Sequence, residues 1–284
     1  MRFSTLSSLL CLGGVLVNAL DLTTAKARNL IPDSFHRHGQ QVRSERRDVK
    51  ERLSYIWSGA EVNGPRMASA TAELTIPNVT FPYGYNASAT YSSSVWVGIG
   101  GDQNTCDDPH RIQDGGLIQG GFYYMYDPQG DFGVFAFYEW FPSAPVFLDD
   151  TEGILTDIGD HVRMSVTQKD NVTGTYTWEN FTKNQTFTID LKAPSINGTL
   201  CTNHAEWIVE SFMYGDDPYY FTDFGDLTFT EVEAITEAGE VAPLSDAEVI
   251  TAQPILNGYN LTKCEILQPD AVKCKWLGYN NTIN

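Results

Sequence analysis

Positive charge, histidine and cysteine are all scarce in the bulk of this chain. From Leu53 onward nine Lys and Arg stand against thirty-one Asp and Glu, a balance of about −22. So acidic a surface repels nucleic acid and anionic lipid. Only His110, His161 and His204 occur in that stretch, and neither H-E-x-x-H nor G-x-S-x-G is present. Without C-x-x-C spacing or paired histidines a zinc site has no support. VGIGG lacks the third glycine of a dinucleotide fingerprint. Asp223-Phe224-Gly225 imitates a kinase triplet with no glycine-rich loop, Lys strand or HRD beside it, and the two D-[ST]-G loops of pepsin-like peptidases are missing. Serine, metal, nucleotide and phosphoryl chemistry are thus disfavoured, and no cofactor is called for. Beyond the first 19 residues nothing approaches the ~20 apolar residues of a membrane span. No repeat of fixed period and no sustained 3.6-residue periodicity occurs.

Residues 1–19 read as a secretory signal peptide: Arg2, the apolar run LSSLLCLGGVLV, then Val17-Asn18-Ala19 before the cut. A secreted, extracellular protein is expected. With Cys11 removed, Cys106, Cys201, Cys264 and Cys274 form an even set in an oxidising route, with three possible pairings. Sequons at Asn78, Asn86, Asn171, Asn180, Asn184, Asn197, Asn260 and Asn280 mark candidate glycosylation sites, and Asn180 and Asn184 are expected on a surface turn. Residues 20–52 carry eight basic against five acidic side chains and end in RSERRDVKER. They read as a removable basic prosegment, cut after Arg47, after Arg52 or by the protein itself in acid, ahead of a domain at 53–284. Carboxylates protonate near pH ~4, which relieves the self-repulsion of this domain and points to an acidic working environment. Nothing suggests a partner chain, so a monomer is expected.

From about residue 54 the pattern is short segments rich in Val, Ile, Thr and aromatics, separated by Gly, Asn, Asp and Pro: SATAELTIP, SSSVWVGIGG, GVFAFYEWFP, HVRMSVTQ, GTYTWENF, QTFTIDL, AEWIVESF, DLTFTEVEAI, EVITAQPI. This predicts one all-β domain, an antiparallel sandwich or jelly roll. In CTNHAEWIVESF the β-branched and aromatic residues favour a strand. One face then carries Glu206, Ile208, Glu210 and Phe212, the other Trp207, Val209 and Ser211. Carboxylate chemistry is what remains, with Glu139 in FYEWF, Glu206 and Glu210 as candidates, since a carboxyl among aromatics has its pKa raised toward acid–base use.

SVWVGIGGD, LIQGG, FYEWFP, LCTNHAEWIVESF, FTDFGDLTFT and the last two cysteines occur in the order seen in the fungal acid glutamic peptidases, the eqolisins, which the chain resembles over residues 55–277. The resemblance implies a concanavalin-like sandwich of two curved sheets that holds a protein or peptide substrate on its concave face. It implies a catalytic pair, Gln119 in Leu117-Ile118-Gln119-Gly120-Gly121 and Glu210, the last residue of AEWIVE, with Gln113 outside the motif. Glu210 would take a proton from the attacking water, and Gln119 would donate to the oxyanion at pH ~3–4. Trp96 and Glu139 match groove-lining positions, Phe141 sits at an aromatic position beside them, and the implied disulfides are Cys106–Cys201 and Cys264–Cys274. The departures are Gly100 where the family has Asp, Gly120 for Thr, Tyr123 for Asp, Phe137 for Trp, and the longer insertion CDDPHRIQDGG. A shifted pH optimum or altered specificity is expected from them. The competing expectations are an inactive relative that binds peptide or polysaccharide in the groove, and a glycosidase using Glu139 with Glu210.

Overall fold

The computed structural model describes residues 50–82, 89–101, 115–127, 129–194, 198–201, 203–211, 221–253 and 259–279, with the short segments 10–12, 15–17, 42–43, 213–214 and 217–218. Alternation and β-branching become strands almost everywhere, and the helical turn among the described residues is the 3-10 segment Leu244–Asp246. Two sheets carry the fold. The first, here the site sheet, contains β1 (Glu51–Ser54), β2 (Trp57–Asn63), β4 (Tyr91–Gly100), β5 (Leu117–Tyr126), β6 (Phe132–Phe141), β7 (Val146–Phe147), β11 (His204–Glu210) and β13 (Glu248–Ala252). Its order is β7-β6-β5-β4-β11-β2-β13-β1, with Val42–Arg43 at the outer edge beside β1. The second contains β3 (Met67–Thr75), β8 (His161–Asp170), β9 (Thr173–Asn180), β10 (Gln185–Lys192), β12 (Asp226–Thr236), β14 (Thr262–Leu267) and β15 (Ala271–Trp276), in the order β10-β9-β8-β3-β12-β15-β14. Pairing is antiparallel except for β1 on β13.

The expected all-β sandwich is therefore the observed one. The second sheet alternates more and less buried residues along β8, β9 and β10, as a sheet with one wet face does. In the site sheet, β4 and β5 are buried at every position, so both of its faces are covered. Between the sheets lies one core that includes Phe122, Tyr176, Trp178, Trp207 and Phe229. Each large side chain so buried contributes roughly 1.5–3 kcal/mol. The Trp207 indole also donates to the Thr71 carbonyl at 2.9 Å, which ties β11 to β3 across the layers without leaving a buried donor unpaired.

Several sequence expectations find their place here. Cys264 and Cys274 are cross-strand partners on β14 and β15 and form a disulfide. Cys201 is also disulfide-bonded, while Cys106 lies outside the described residues. The boundary expected between residues 52 and 53 falls inside β1. Among the strands with no counterpart in the sequence pattern are β2 and β5, and β5 is the one that carries Gln119. Among the sequons, Asn78 and Asn184 are exposed and Asn171 and Asn260 half-buried, whereas Asn86, Asn197 and Asn280 lie outside the described residues. Asn184 does occupy a turn, with φ 53°. Asn180 departs from expectation. It ends β9 buried, its amide nitrogen donating to Asp160 Oδ2 at 2.8 Å and to the Leu155 carbonyl at 3.2 Å, and a nitrogen so used leaves no room for a glycan.

Candidate active site

Residues of alternate parity along the site sheet point away from the interlayer core, and this site face gathers the chemistry. Register defines its rows. In one row Glu139 on β6, Gln119 on β5, Gly98 on β4, Glu206 on β11 and Glu61 on β2 follow one another across five strands. A second row runs Phe135, Tyr123, Ser94, Glu210 and Trp57. Between them stand Phe137, Gly121, Trp96 and Ile208. The strand reading of AEWIVE thus held: Glu206, Ile208 and Glu210 share the site face, with Trp207 and Val209 in the core.

Gln119 is 2% exposed, Glu139 1% and Glu210 6%. Gln119 Nε2 donates to Glu139 Oε2 at 2.5 Å. Gln119 Oε1 and Glu139 Oε1 are buried without a hydrogen-bond partner among the described residues. Burial pushes the Glu139 carboxyl well above the usual range; the bond from Gln119 pulls it back, and the charge of Glu210 adds to the rise. Burial also pushes Glu210 up, to about 7, against hydrogen bonds from the indoles of Trp57 and Trp96. The Trp96 Nε1–H···Oε2 distance to Glu210 is 2.9 Å. Trp57 and Trp96 meet edge to face at 5.3 Å, so each indole fixes the other while both face the carboxyl.

The structure therefore brings Gln119, Glu139, Trp96 and Glu210 onto one face, and Glu210 sits near enough for its charge to act on Glu139. Glu206, rather than Glu210, shares the row of Gln119. Phe141 lies at the end of β6 opposite Leu117 and packs half-buried against the apolar part of this face. Gln113 lies outside the described residues. Trp57 was missed, although YIW opens the matching region and a tryptophan beside a strand start was its signal. Arg52, Glu61 and His204 were missed as a group, because a cluster assembled from positions 9 and 143 residues apart leaves no local pattern.

The departures have physical counterparts. Gly100 has φ +104°, and a Cβ there would come 2.4 Å from the Gly116 carbonyl, so this backbone excludes an aspartate. Tyr123 is fully buried and meets Phe147 edge to face at 5.5 Å, with Phe137 on the same ring at 6.1 Å. An aromatic wall stands where the resemblance places polar groups.

A two-sheet sandwich whose one face carries a hydrogen-bonded amide–carboxyl pair and a separate carboxyl held by two indoles has the parts of a hydrolase that uses acid–base groups and a fixed amide. Comparison with known proteins gives the kind: the Peptidase A4 family matches residues 55–276, and the chain belongs to that family. It is similar to aspergillopepsin-2 of Aspergillus niger, at 34% identity over 71% of each chain. To scytalidopepsin B of Scytalidium lignicola it is 30% identical, over 78% of this chain and 77% of that one. Among solved structures, scytalido-glutamic peptidase with a transition-state analogue inhibitor superposes with a TM-score of 0.62 at 28% identity, covering 78% of this chain and 98% of that one. Aspergilloglutamic peptidase from Aspergillus niger gives 0.55 at 33%, covering 66% and 99%. The chain is a peptide-bond hydrolase of the eqolisin kind, as the motifs implied.

Proposed function

We propose that the protein is a secreted acid endopeptidase, made with a basic prosegment, that cleaves peptide bonds through Glu210 and Gln119. The observation that carries this reading is the pairing, on one buried face, of an amide held by Glu139 with a carboxyl raised to about 7. Ionised Glu210 takes a proton from water, which attacks the scissile carbonyl. Gln119 keeps one Nε2 hydrogen on Glu139 and turns the other to the developing oxyanion. Such a donor lowers the barrier by roughly 3–4 kcal/mol in comparable sites. Protonated Glu210 then passes its proton to the leaving amine, so the cycle closes without a cofactor. Trp96 holds Glu210 in place and, with Phe141, lines the path of the substrate. The solved relative that holds a peptide-based transition-state analogue is consistent with peptide substrates for this chain.

The elevated Glu210 has a consequence for pH. Below about 7 its ionised fraction falls by about tenfold per unit, so kcat/KM declines on the acid side from a higher point than the pH ~3–4 expected from the motifs. The acid limb of the pH profile is therefore expected to bend at about pH 7.

The test is cleavage of a denatured protein from about pH 2 to about pH 7, with Gln119→Ala and Glu210→Gln alongside. Glu210→Gln is expected to abolish turnover, and Gln119→Ala to lower kcat by about 10²–10³. Wild-type protein that is folded and free of its basic N-terminal segment, yet cleaves nothing while retaining peptide affinity, would make the face a binding site instead.

A further inference from the structure

The catalytic reading leaves three buried ionisable side chains on the site face without a role. Arg52 is 3% exposed, Glu61 1% and His204 0%. Arg52 Nη2 lies 2.7 Å from Glu61 Oε2, and Glu61 Oε1 lies 3.0 Å from His204 Nδ1. Arg52 Nε is also 3.9 Å from Glu248 Oε2. The strand order β11-β2-β13-β1 shows what this chain of contacts spans. From β1 the guanidinium passes over β13 to reach β2, and Glu61 hands the connection to β11, the strand that ends in Glu210. Arg52 also precedes the matched family region, which opens at residue 55. It lies at the junction where the basic N-terminal segment gives way to the acidic domain, and the sequence offered it as a processing site.

The backbone around it is equally committed. Four register pairs join Glu51–Ser54 to Val249–Ala252 in parallel. The Val249 N–H donates to the Lys50 carbonyl and the Gln253 N–H to the Ser54 carbonyl, both at 2.8 Å. Thr251 Oγ1 donates to Glu51 Oε1 at 3.0 Å, and Ser54 Oγ accepts the Trp57 N–H at 3.0 Å. A protease that cuts after a basic residue must take that side chain into its own acidic pocket and pair the flanking backbone with itself. At Arg52 both are already in use, so the bond is reachable only through local opening of β1. Cutting there would also carry off the cation and leave the Glu61 carboxyl buried without it, a strongly unfavourable arrangement.

We propose that Arg52 is a permanent cation of the folded domain, strapping the first strand to the strand of Glu210, and that removal of the N-terminal segment therefore occurs upstream of Glu51 and never between Arg52 and Leu53. Only the description of β11 as the catalytic strand rests on the proposed function; protection of the bond does not.

The experiment treats the purified full chain with trypsin at neutral pH and reads the resistant core by intact mass and N-terminal sequencing. The core is expected to begin at or before Glu51 and to retain Arg52. Glu61→Gln keeps the side-chain shape and removes the counter-charge, and it is expected to speed cleavage of the Arg52–Leu53 bond by about tenfold or more. A wild-type core starting at Leu53 overturns the proposal, and so does a folded Glu61→Gln variant cut no faster than wild type. Should that variant not fold, two shortened chains decide. One starting at Leu53 is expected to melt about 5 °C or more below one starting at Glu51, and equal melting overturns the strap. None of these readouts needs peptidase activity, so they stand or fall apart from the dyad.

Discussion

Glu210 and Glu61 are buried carboxyls on neighbouring strands, and their surroundings drive them in opposite directions. Glu210 meets neutral indole donors and is left near 7 by burial. Burial raises Glu61 too, but the bond from His204 and the charges of Arg52 and His204 outweigh it and bring it to about 2. Identical side chains thus take opposite protonation preferences, one held toward the acid form and the other held as an anion. The motif located the first; nothing local announced the second, because its partners come from two other strands. Asn180 makes the same point for modification. Its triplet Asn180-Phe181-Thr182 is as good an acceptor on paper as Asn184-Gln185-Thr186. Yet Asn180 is spent on Asp160, on the Leu155 carbonyl and, through Oδ1, on the Lys183 N–H at 3.1 Å, while Asn184 is exposed on the turn. Glycopeptide mapping of protein expressed through a eukaryotic secretory route is expected to find Asn184 occupied and Asn180 bare. Occupancy at Asn180 in folded protein would show that this network does not form.

At the scale of elements, the strands that sequence pattern exposed were those with alternating or β-branched runs, and two of those it hid, β2 and β5, contain glycine. β2 reads Trp-Ser-Gly-Ala-Glu-Val-Asn, with Gly59 at φ +151° and a carbonyl of β11 where a Cβ would stand. β5 carries Gly120-Gly121 directly after Gln119, a pair that reads as a turn. In the sandwich the pair is instead a packing device. A Cβ on Gly120 would fall 2.2 Å from the Tyr176 ring, which comes across from β9 and fills the space a threonine side chain takes in the resembled motif. The compensation lies 56 residues away in sequence, so no reading of LIQGG alone could reveal it. Gly120→Ala is therefore expected to destabilise by about 1–3 kcal/mol through overpacking, and also to displace the neighbouring Gln119. Adding Tyr176→Leu should recover part of the loss. Thermal melts of the two single variants and the double give the coupling, and strict additivity would refute contact between these positions.

For the whole molecule, charge sets a window of stability whose two edges have different causes. Glu61 has a folded pKa below its ordinary 4.5, so its contribution is complete above about 4.5 and is lost as pH falls through about 2. Glu210 has a folded pKa above 4.5, near 7, and Glu139 is raised as well. The folded state then holds protons that the unfolded chain has released, and stability falls as pH rises from about 4.5 toward 7. The net charge of −18 at pH 7 adds self-repulsion on that same side. The melting temperature is thus expected to peak in weak acid, and to decline on either side. Glu61→Gln should cost roughly 3–5 kcal/mol near the peak, with a difference from wild type that shrinks as pH approaches 2. Glu210→Gln removes one of the groups that destabilise the neutral side, so it should flatten the decline above the peak while leaving the acid edge where it was. Melting curves of the three proteins across this range check both edges at once. A wild-type maximum at neutral pH, or a Glu61→Gln deficit that stays constant down to pH 2, would mean that these two carboxyls do not govern the window.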